Sequence, residues 1–364
     1  MPNWLDVEAP SMPRTLQAAD YRTAMIGKWH LGGGSGRKFQ IKDLKNLDQP
    51  PSLKGRKIVI NHPDAPAVSR YGFNHVRATY GNSPNWKHAK PWPVPHEIYP
   101  YADQEWNTWS SQAIADEAIR FLRKQAESDG EQSPFYMNVW FKDVHVPLIP
   151  TEAMRKPFSH LDGAARDHYA MVRYMDEQIG RVLDVLADLG MAENTLVLFS
   201  SDNGAGKGRG GSNGPLRGWK HELYEGGIRV PLIVRWPGQV PVGRIDKESV
   251  LNIVDFTPTF CQLAGTAMPD DYRPDGEDIS AALRGKPFER TKPQFWHYPR
   301  RKMALAVRVG DWKLLSDLDG KSVELYDLDE DVGEMKNRAA EEPEVVEALK
   351  GQLINWYQEL PIAR

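Results

Sequence analysis

The chain has 364 residues, of which 40% are hydrophobic and 26% charged, with a formal net charge of −3. That length buries a real core and suits one large α/β domain, or a large one with a small companion, while the near-neutral charge gives no electrostatic case for nucleic acid as a partner. The single cysteine, Cys261, excludes an intrachain disulfide and a multi-cysteine metal site; no run approaches the ~18 apolar residues of a membrane span, and the opening MPNWLDVEAPSMPRTL lacks the basic and apolar regions of a signal peptide. Cys261 sits in the apolar stretch VDFTPTFCQLAG and is expected to be a buried, inert thiol. The 12 Trp and 28 Pro point to long structured loops, the kind that build binding clefts.

In chain order, three segments repeat one grammar: helix, apolar strand, polar loop. A short helix from Thr15 leads to a strand at Thr23–Ile26 and then Gly27, Lys28 and His30. A second helix, with Ser110 or Ser111 as N-cap and Ile114, Ala118 and Leu122 on one face, leads to a strand at 135–141 and then Asp143 and His145. A third carries Val172, Met175, Ile179, Val182, Leu186 and Leu189, stops near Gly190, and leads to a strand at 195–199 followed by Ser200, Ser201, Asp202, Asn203 and Gly204. Helices alternating with buried strands predict a largely parallel α/β sheet, and such sheets bind ligands at the carboxyl ends of their strands. Beyond about residue 290, short strands at 304–309, 312–315 and 324–328 and a closing helix with Val345, Leu349, Leu353, Trp356 and Leu360 predict a small antiparallel sheet with one helix. The expected division is 1–289 for the large domain and 290–364 for the small one.

The strand ends carry the chemistry. Lys28 and His30 lie between glycines that permit sharp turns beside a ligand, although a lone lysine and histidine in a loop are usually solvated surface. Asp202-Asn203 offers hard oxygen ligands suited to Ca²⁺ or Mg²⁺; taken alone, an Asp-Asn pair is more often a turn or helix cap. The glycine-rich runs at 32–36 and 204–211 fit neither a Walker A loop nor a dinucleotide fingerprint.

Three stretches together resemble the type I sulfatases of the alkaline-phosphatase-like superfamily: DYRTAMIGKWHLG (20–32), WFKDVHVPLIP (140–150), and above all LVLFSSDNGAGKGRGGSNGPLRGWKHELYEGGIRVPLIVRWPG (196–238). The resemblance covers about 15–356. It implies a large, mostly parallel sheet flanked by helices plus the small carboxyl-terminal sheet, and calcium-dependent hydrolysis of aryl or carbohydrate sulfate esters. It also implies Lys28, His30, His145 and Lys220 as catalytic sulfate contacts, and Asp202 and Asn203 as Ca²⁺ ligands. His297, in FWHYPR, is either a substrate contact at the pocket rim or part of an aromatic seam. Lys142 and Asp143 are weaker candidates, His221 reads as surface, and Arg217 and Arg229 read as structural, Arg229 through Glu225. The segment 82–109, rich in Trp and Pro, reads as a sugar-stacking cleft or as loop-lining structure. The family setting is periplasmic or extracellular.

One departure matters. The family opens with paired aspartates and a Cys-or-Ser-x-Pro-x-Arg motif whose first residue becomes formylglycine. No such motif occurs here, because Ser11-Met12-Pro13-Arg14 places its arginine one position too close. The resemblance therefore implies an amino-terminally truncated product or one piece of a split enzyme, with a separate amino-terminal fragment as partner. It implies a weak, partial calcium site and no sulfatase turnover by this chain alone. Two other readings stay open: a phosphoesterase of the same superfamily, and a non-catalytic protein that binds sulfated glycans. The six strand-end groups are expected to converge on one pocket.

Overall fold

The computed structural model describes residues 5–31, 66–80, 104–127, 133–270 and 272–360. The glycine run at 32–36 and most of the Trp- and Pro-rich segment, through residue 103, lie outside the described residues. The described chain forms two compact units, Met1–Ala192 with Leu263–Tyr272, and Glu193–Gln262 with Arg273–Arg364.

In the first unit, helix α1 (Met12–Gln17) leads into strand β1 (Arg22–Trp29), which lies between β2 (His75–Tyr80) and β3 (Phe135–Trp140) with both pairings parallel. Two longer helices also belong to this unit, α2 (Gln104–Ala126) and α3 (Gly163–Asp188), and α2 packs on α3, β1 and β3. A central parallel strand must be apolar on both faces, and Ala24, Met25 and Ile26 are fully buried. Met25 and Trp29 pack with Val68, Tyr71, Phe73 and Ala78. β1 runs farther than its apolar run suggests, so Lys28 belongs to the strand and not to a loop. At its end, Gly27 has a φ of 100°, and a Cβ there would lie 2.0 Å from the Trp140 carbonyl oxygen of the paired strand. Only glycine permits that approach.

Ser110 and Ser111 are not caps. α2 starts earlier, and both serines are buried within it, donating to Asp143 at 3.1 and 2.5 Å. α3 buries Val182 and Leu186 of the expected face together with Met171 and Tyr174, whereas Val172 is exposed, and Gly190 follows just past its end as expected. The strand β2 is not evident in the sequence pattern. Its His75 donates to Glu117 of α2 at 2.9 Å, and the same buried carboxylate pairs with Arg77 and Arg120.

In the second unit, β4 (Val197–Ser200) pairs antiparallel with β5 (Leu232–Arg235). The sequence grouped β4 with the two preceding strands; among the described residues it forms a separate two-stranded ladder. Its apolar residues are only partly covered, with Phe199 36% and Ile233 58% exposed. The carboxyl-terminal strands β6 (Gln294–His297), β7 (Leu305–Val309), β8 (Trp312–Ser316) and β9 (Val323–Asp327) form an antiparallel meander closed by helix α4 (Pro343–Glu359). One face of this sheet, through Leu305, Val307, Leu314 and Leu325, packs on Val346, Leu349 and Leu353 of α4. The other face, through Ala306, Leu315 and Tyr326, packs on Leu223, Tyr224 and Ile228. The architecture is thus mixed α/β, with a helix-flanked parallel sheet and a carboxyl-terminal antiparallel sheet bearing one helix.

The Glu117 cluster gives a measurable titration. Burial, followed by the charges of Arg77, Lys124 and Arg120, lowers His75 from 6.5 to about 4. Glu117 does not reverse this, because its charge is already matched by two guanidinium groups. A folded pKa below the unfolded one means that the unfolded chain takes up a proton first as pH falls. Stability carried by His75 is therefore complete above pH 6.5 and declines from there toward pH 4, with a slope of at most ~1.4 kcal/mol per pH unit. In proton NMR, the His75 ring resonance is expected to titrate near 4, and replacement with Asn is expected to flatten the acid limb of the stability profile over this range.

Candidate functional site

The first unit brings Lys28, Lys142 and His145 to one end of the parallel sheet. Lys28 directly follows Gly27, whose partner across the ladder is Trp140, and Lys142 follows that strand by two residues. Trp29 and Trp140 stack with ring centroids 5.9 Å apart. Lys142 is buried; its ammonium donates to the Pro147 carbonyl at 3.1 Å and lies 4.0 Å from Asp143. Burial holds Lys142 below the ordinary lysine range, with Asp143 opposing and the Lys28 charge adding to the shift. Burial also raises Asp143, against the pull of Lys142, Ser111 and Ser110. The turn is pinned by the His145 amide donating to the Lys142 carbonyl at 2.9 Å. His145 Nδ1 donates to the Val146 carbonyl at 2.8 Å. A carbonyl only accepts, so Nδ1 carries the proton and Nε2 donates only when the ring is protonated. His30, one residue past β1, is exposed.

The second unit ties the backbone of Lys220 to Ala205, two residues beyond Asn203. The Ser200–Gly204 turn is locked to later chain by contacts that exclude side chains. The Gly204 amide donates to the Gly227 carbonyl at 3.0 Å, and a Cβ on Gly204 would lie 1.8 Å from the Gly226 oxygen. Two residues beyond Asn203, Ala205 accepts from the Lys220 amide at 2.9 Å and donates to Asn213 Oδ1 at 2.7 Å, while Asn213 Nδ2 donates to the Gly218 carbonyl at 2.9 Å. The turn carrying Lys220 is closed reciprocally, with Glu222 N–H donating to the Trp219 carbonyl at 2.9 Å and Trp219 N–H donating to Glu222 Oε2 at 3.0 Å. Asp202 is exposed and Asn203 half-buried. Their oxygens fit calcium in kind, yet they supply only part of the six to eight it takes. Among the described residues no group of three or more His, Cys, Asp or Glu could hold a metal ion.

This loop is docked on the carboxyl-terminal sheet by a buried ion cluster. Lys313 of β8, fully buried, donates to Glu225 Oε1 at 2.8 Å and pairs with Glu334 at 2.9 Å, and the Glu225 amide donates to Glu334 Oε2 at 2.6 Å. Burial raises Glu334; Glu225, although buried, is held low by Lys313, with smaller help from Arg308 and Arg229. Arg229 pairs with Glu225 at 3.3 Å, the partnership its sequence spacing suggested. Arg217 stacks on Tyr224 at 4.0 Å and donates to Tyr326 and to the Glu334 carbonyl.

His297 lies on the α4 side of its sheet, edge-on to Tyr357 at 5.0 Å, with Nε2 buried and without a hydrogen-bond partner. Its surroundings are the aromatic seam. Cys261 is 2% exposed in the helix Phe256–Ala264, with burial raising its thiol. Ser11 donates to the Tyr71 carbonyl at 2.9 Å, which gives it a fold-holding role. Sequence reasoning missed Lys313 and Glu334, and nothing local marks either.

The Sulfatase family profile matches residues 5–266, and that of N-sulphoglucosamine sulphohydrolase, C-terminal, matches residues 217–359. The chain belongs to the sulfatase family. This sulfatase is 30% identical to a Sulfatase of Formosa agariphila over 387 residues, which cover 94% of this chain and 68% of that protein. It is 31% identical to the N-acetylgalactosamine-6-sulfatase of Canis lupus familiaris over 83% of this chain and 53% of that protein, about half the relative's length. A solved structure in complex with k-i-k-neocarrahexaose has the same fold, with a TM-score of 0.75 at 21% identity, over 98% of this chain and 76% of the other. Sulfatases are sulfuric ester hydrolases.

Replacing Lys313 with Met leaves two buried carboxylates without a countercharge. The expected loss is about 3–5 kcal/mol, read as a lower guanidinium midpoint by tryptophan fluorescence. Adding Glu334→Gln to Lys313→Met is expected to recover part of it.

Proposed function

We propose that this sulfatase chain binds a carbohydrate sulfate ester, with Lys28, His30 and His145 as sulfate contacts of the first unit and Lys220 as that of the second. The observation that carries this reading is the backbone pinning of Lys220 to Ala205, two residues past the Asp202-Asn203 pair that follows β4. The name of the N-acetylgalactosamine-6-sulfatase relative and the oligosaccharide bound in the solved neighbour support a sulfated sugar as the substrate class. The resemblance supports a periplasmic or extracellular setting, and no helix among the described residues is long and apolar enough to cross a membrane.

The lysines place fixed positive charge where a sulfate leaving its ester gathers negative charge, and such charge lowers a barrier because it needs no reorganisation during the reaction. Lys142, buried beside Lys28, adds to that field from beneath the surface. His145, held by its Nδ1 bond, donates to an anionic oxygen from Nε2 in its protonated form. Asp202 and Asn203 would hold calcium, which when bound would neutralise sulfate oxygens. The covalent acceptor that the family makes from a Cys or Ser is not encoded in this sequence, so binding is the readout for these residues.

Calorimetry with an aryl sulfate and with N-acetylgalactosamine 6-sulfate tests the reading. Lys220→Ala is expected to weaken both ligands at least tenfold, about 1.4 kcal/mol. Asp202→Asn is expected to abolish what calcium binding the chain has. Unchanged affinity in Lys220→Ala would remove the basis of the assignment.

A further inference from the structure

The turn after β6 carries chemistry that the sulfate contacts leave unused. Strand alternation sends successive residues of β6 to opposite faces. Phe295 and His297 face α4, Phe295 stacking on Trp356 at 4.9 Å. Trp296 and Tyr298 face the loop that carries Lys220. The Tyr298 amide donates to the Ala304 carbonyl at 2.7 Å, closing a turn whose exposed residues include Arg300, Arg301 and Lys302.

That turn is fastened to the residue after Lys220. Tyr298 Oη lies 2.9 Å from His221 Nδ1, with the two rings stacked at 5.5 Å and 25°. Arg301 Nε donates to the His221 carbonyl at 3.2 Å. His221 has a φ of 77°, a conformation disfavoured for a residue with a Cβ, and the Tyr298 and Arg301 contacts hold it there. Strain of this kind gathers at ligand sites. After burial, the charges that weigh most on the His221 ring are all positive: Lys220, Arg301 and Arg300. Arg301 thus reaches His221 directly while Lys220 and Arg300 adjoin the two contact residues in sequence, and two of these three cations are guanidinium groups shaped to grip a planar or tetrahedral oxyanion.

We propose that Arg300 and Arg301, set beside Lys220 by the Tyr298–His221 contact, form a subsite for a second anionic group on the glycan, sulfate or carboxylate, next to the ester sulfate held at Lys220. This rests on the reading of Lys220 as a sulfate contact. The subsite makes the substrate a polyanionic sugar chain in preference to a singly charged one.

The test is calorimetry on the whole chain with three disaccharides: one monosulfated, its disulfated counterpart, and a monosulfated one containing a uronic acid. Wild type is expected to bind at least one dianionic ligand about tenfold tighter than the monosulfated one, and which one identifies the second group as sulfate or carboxylate. Arg300→Ala with Arg301→Ala is expected to erase that tenfold advantage and to change the monosulfated affinity less than twofold. Arg300→Ala alone, which leaves the Arg301 bond to His221 intact, is expected to lose a substantial part of it. Lys321→Ala, an equal loss of charge on a different turn, is expected to change nothing. Equal wild-type affinity for all three ligands, or a dianion advantage surviving the double substitution, overturns the subsite. Lys220→Ala separates the two readings: if it affects no ligand while the arginine pair still matters, the Lys220 assignment fails and the anion subsite stands by itself.

Discussion

The ammonium of Lys313, buried between Glu225 and Glu334, is the contact on which the second unit's site depends. It crosses from the middle of the carboxyl-terminal sheet to the loop that carries Lys220. One lysine cannot neutralise two carboxylates, so the remaining negative charge is spread over Arg229, Arg308 and the backbone amide of Glu225. The opposite shifts of Glu225 and Glu334 express that sharing: the carboxyl with more cations around it stays ionised, and the other gives way to desolvation. Buried ion clusters add little net stability compared with apolar packing, but they fix geometry, because any displacement leaves a charge stranded. Here the geometry fixed is that of the segment 217–229.

Both units gather positive charge, by different physical means. In the first, strand pairing forces it: parallel β1 and β3 end together, so Lys28 and Lys142 cannot avoid each other, and burial of Lys142 sharpens the repulsion. In the second, a turn is stapled to a turn, and the cations of 300–301 approach Lys220 through contacts at His221. Clustered like charges cost stability in the empty protein and return it when an oxyanion enters.

Much of this was legible in the sequence because local pattern and long motif agreed. The strand around Met25, the helix ending before Gly190, the meander from 305 to 327 and the closing helix all follow from apolar periodicity. Ser110 and Ser111 misled because serines are commoner as caps than as buried donors; only the folded position of Asp143 explains them. β2 escaped notice because His75 and Arg77 break its apolar pattern, and they are tolerated there only because Glu117 meets them from α2. Motif resemblance brought Lys28, His145, Asp202, Asn203 and Lys220 to attention, but it carried no information about support. Lys313, 88 residues from Glu225, is joined to it by tertiary structure alone.

The amide of Asn213 has a wider consequence. Its oxygen accepts from Ala205, which joins the two stems of the segment 206–212, and its nitrogen donates to Gly218, which anchors that junction to the turn before Lys220. A tied loop can change length at small entropic cost, since closure depends only logarithmically on its size, and the change does not propagate past the knot. This arrangement makes 206–212 a cassette: lineages, or a protein engineer, could exchange its sequence wholesale while Asn203 and Lys220 keep their spacing.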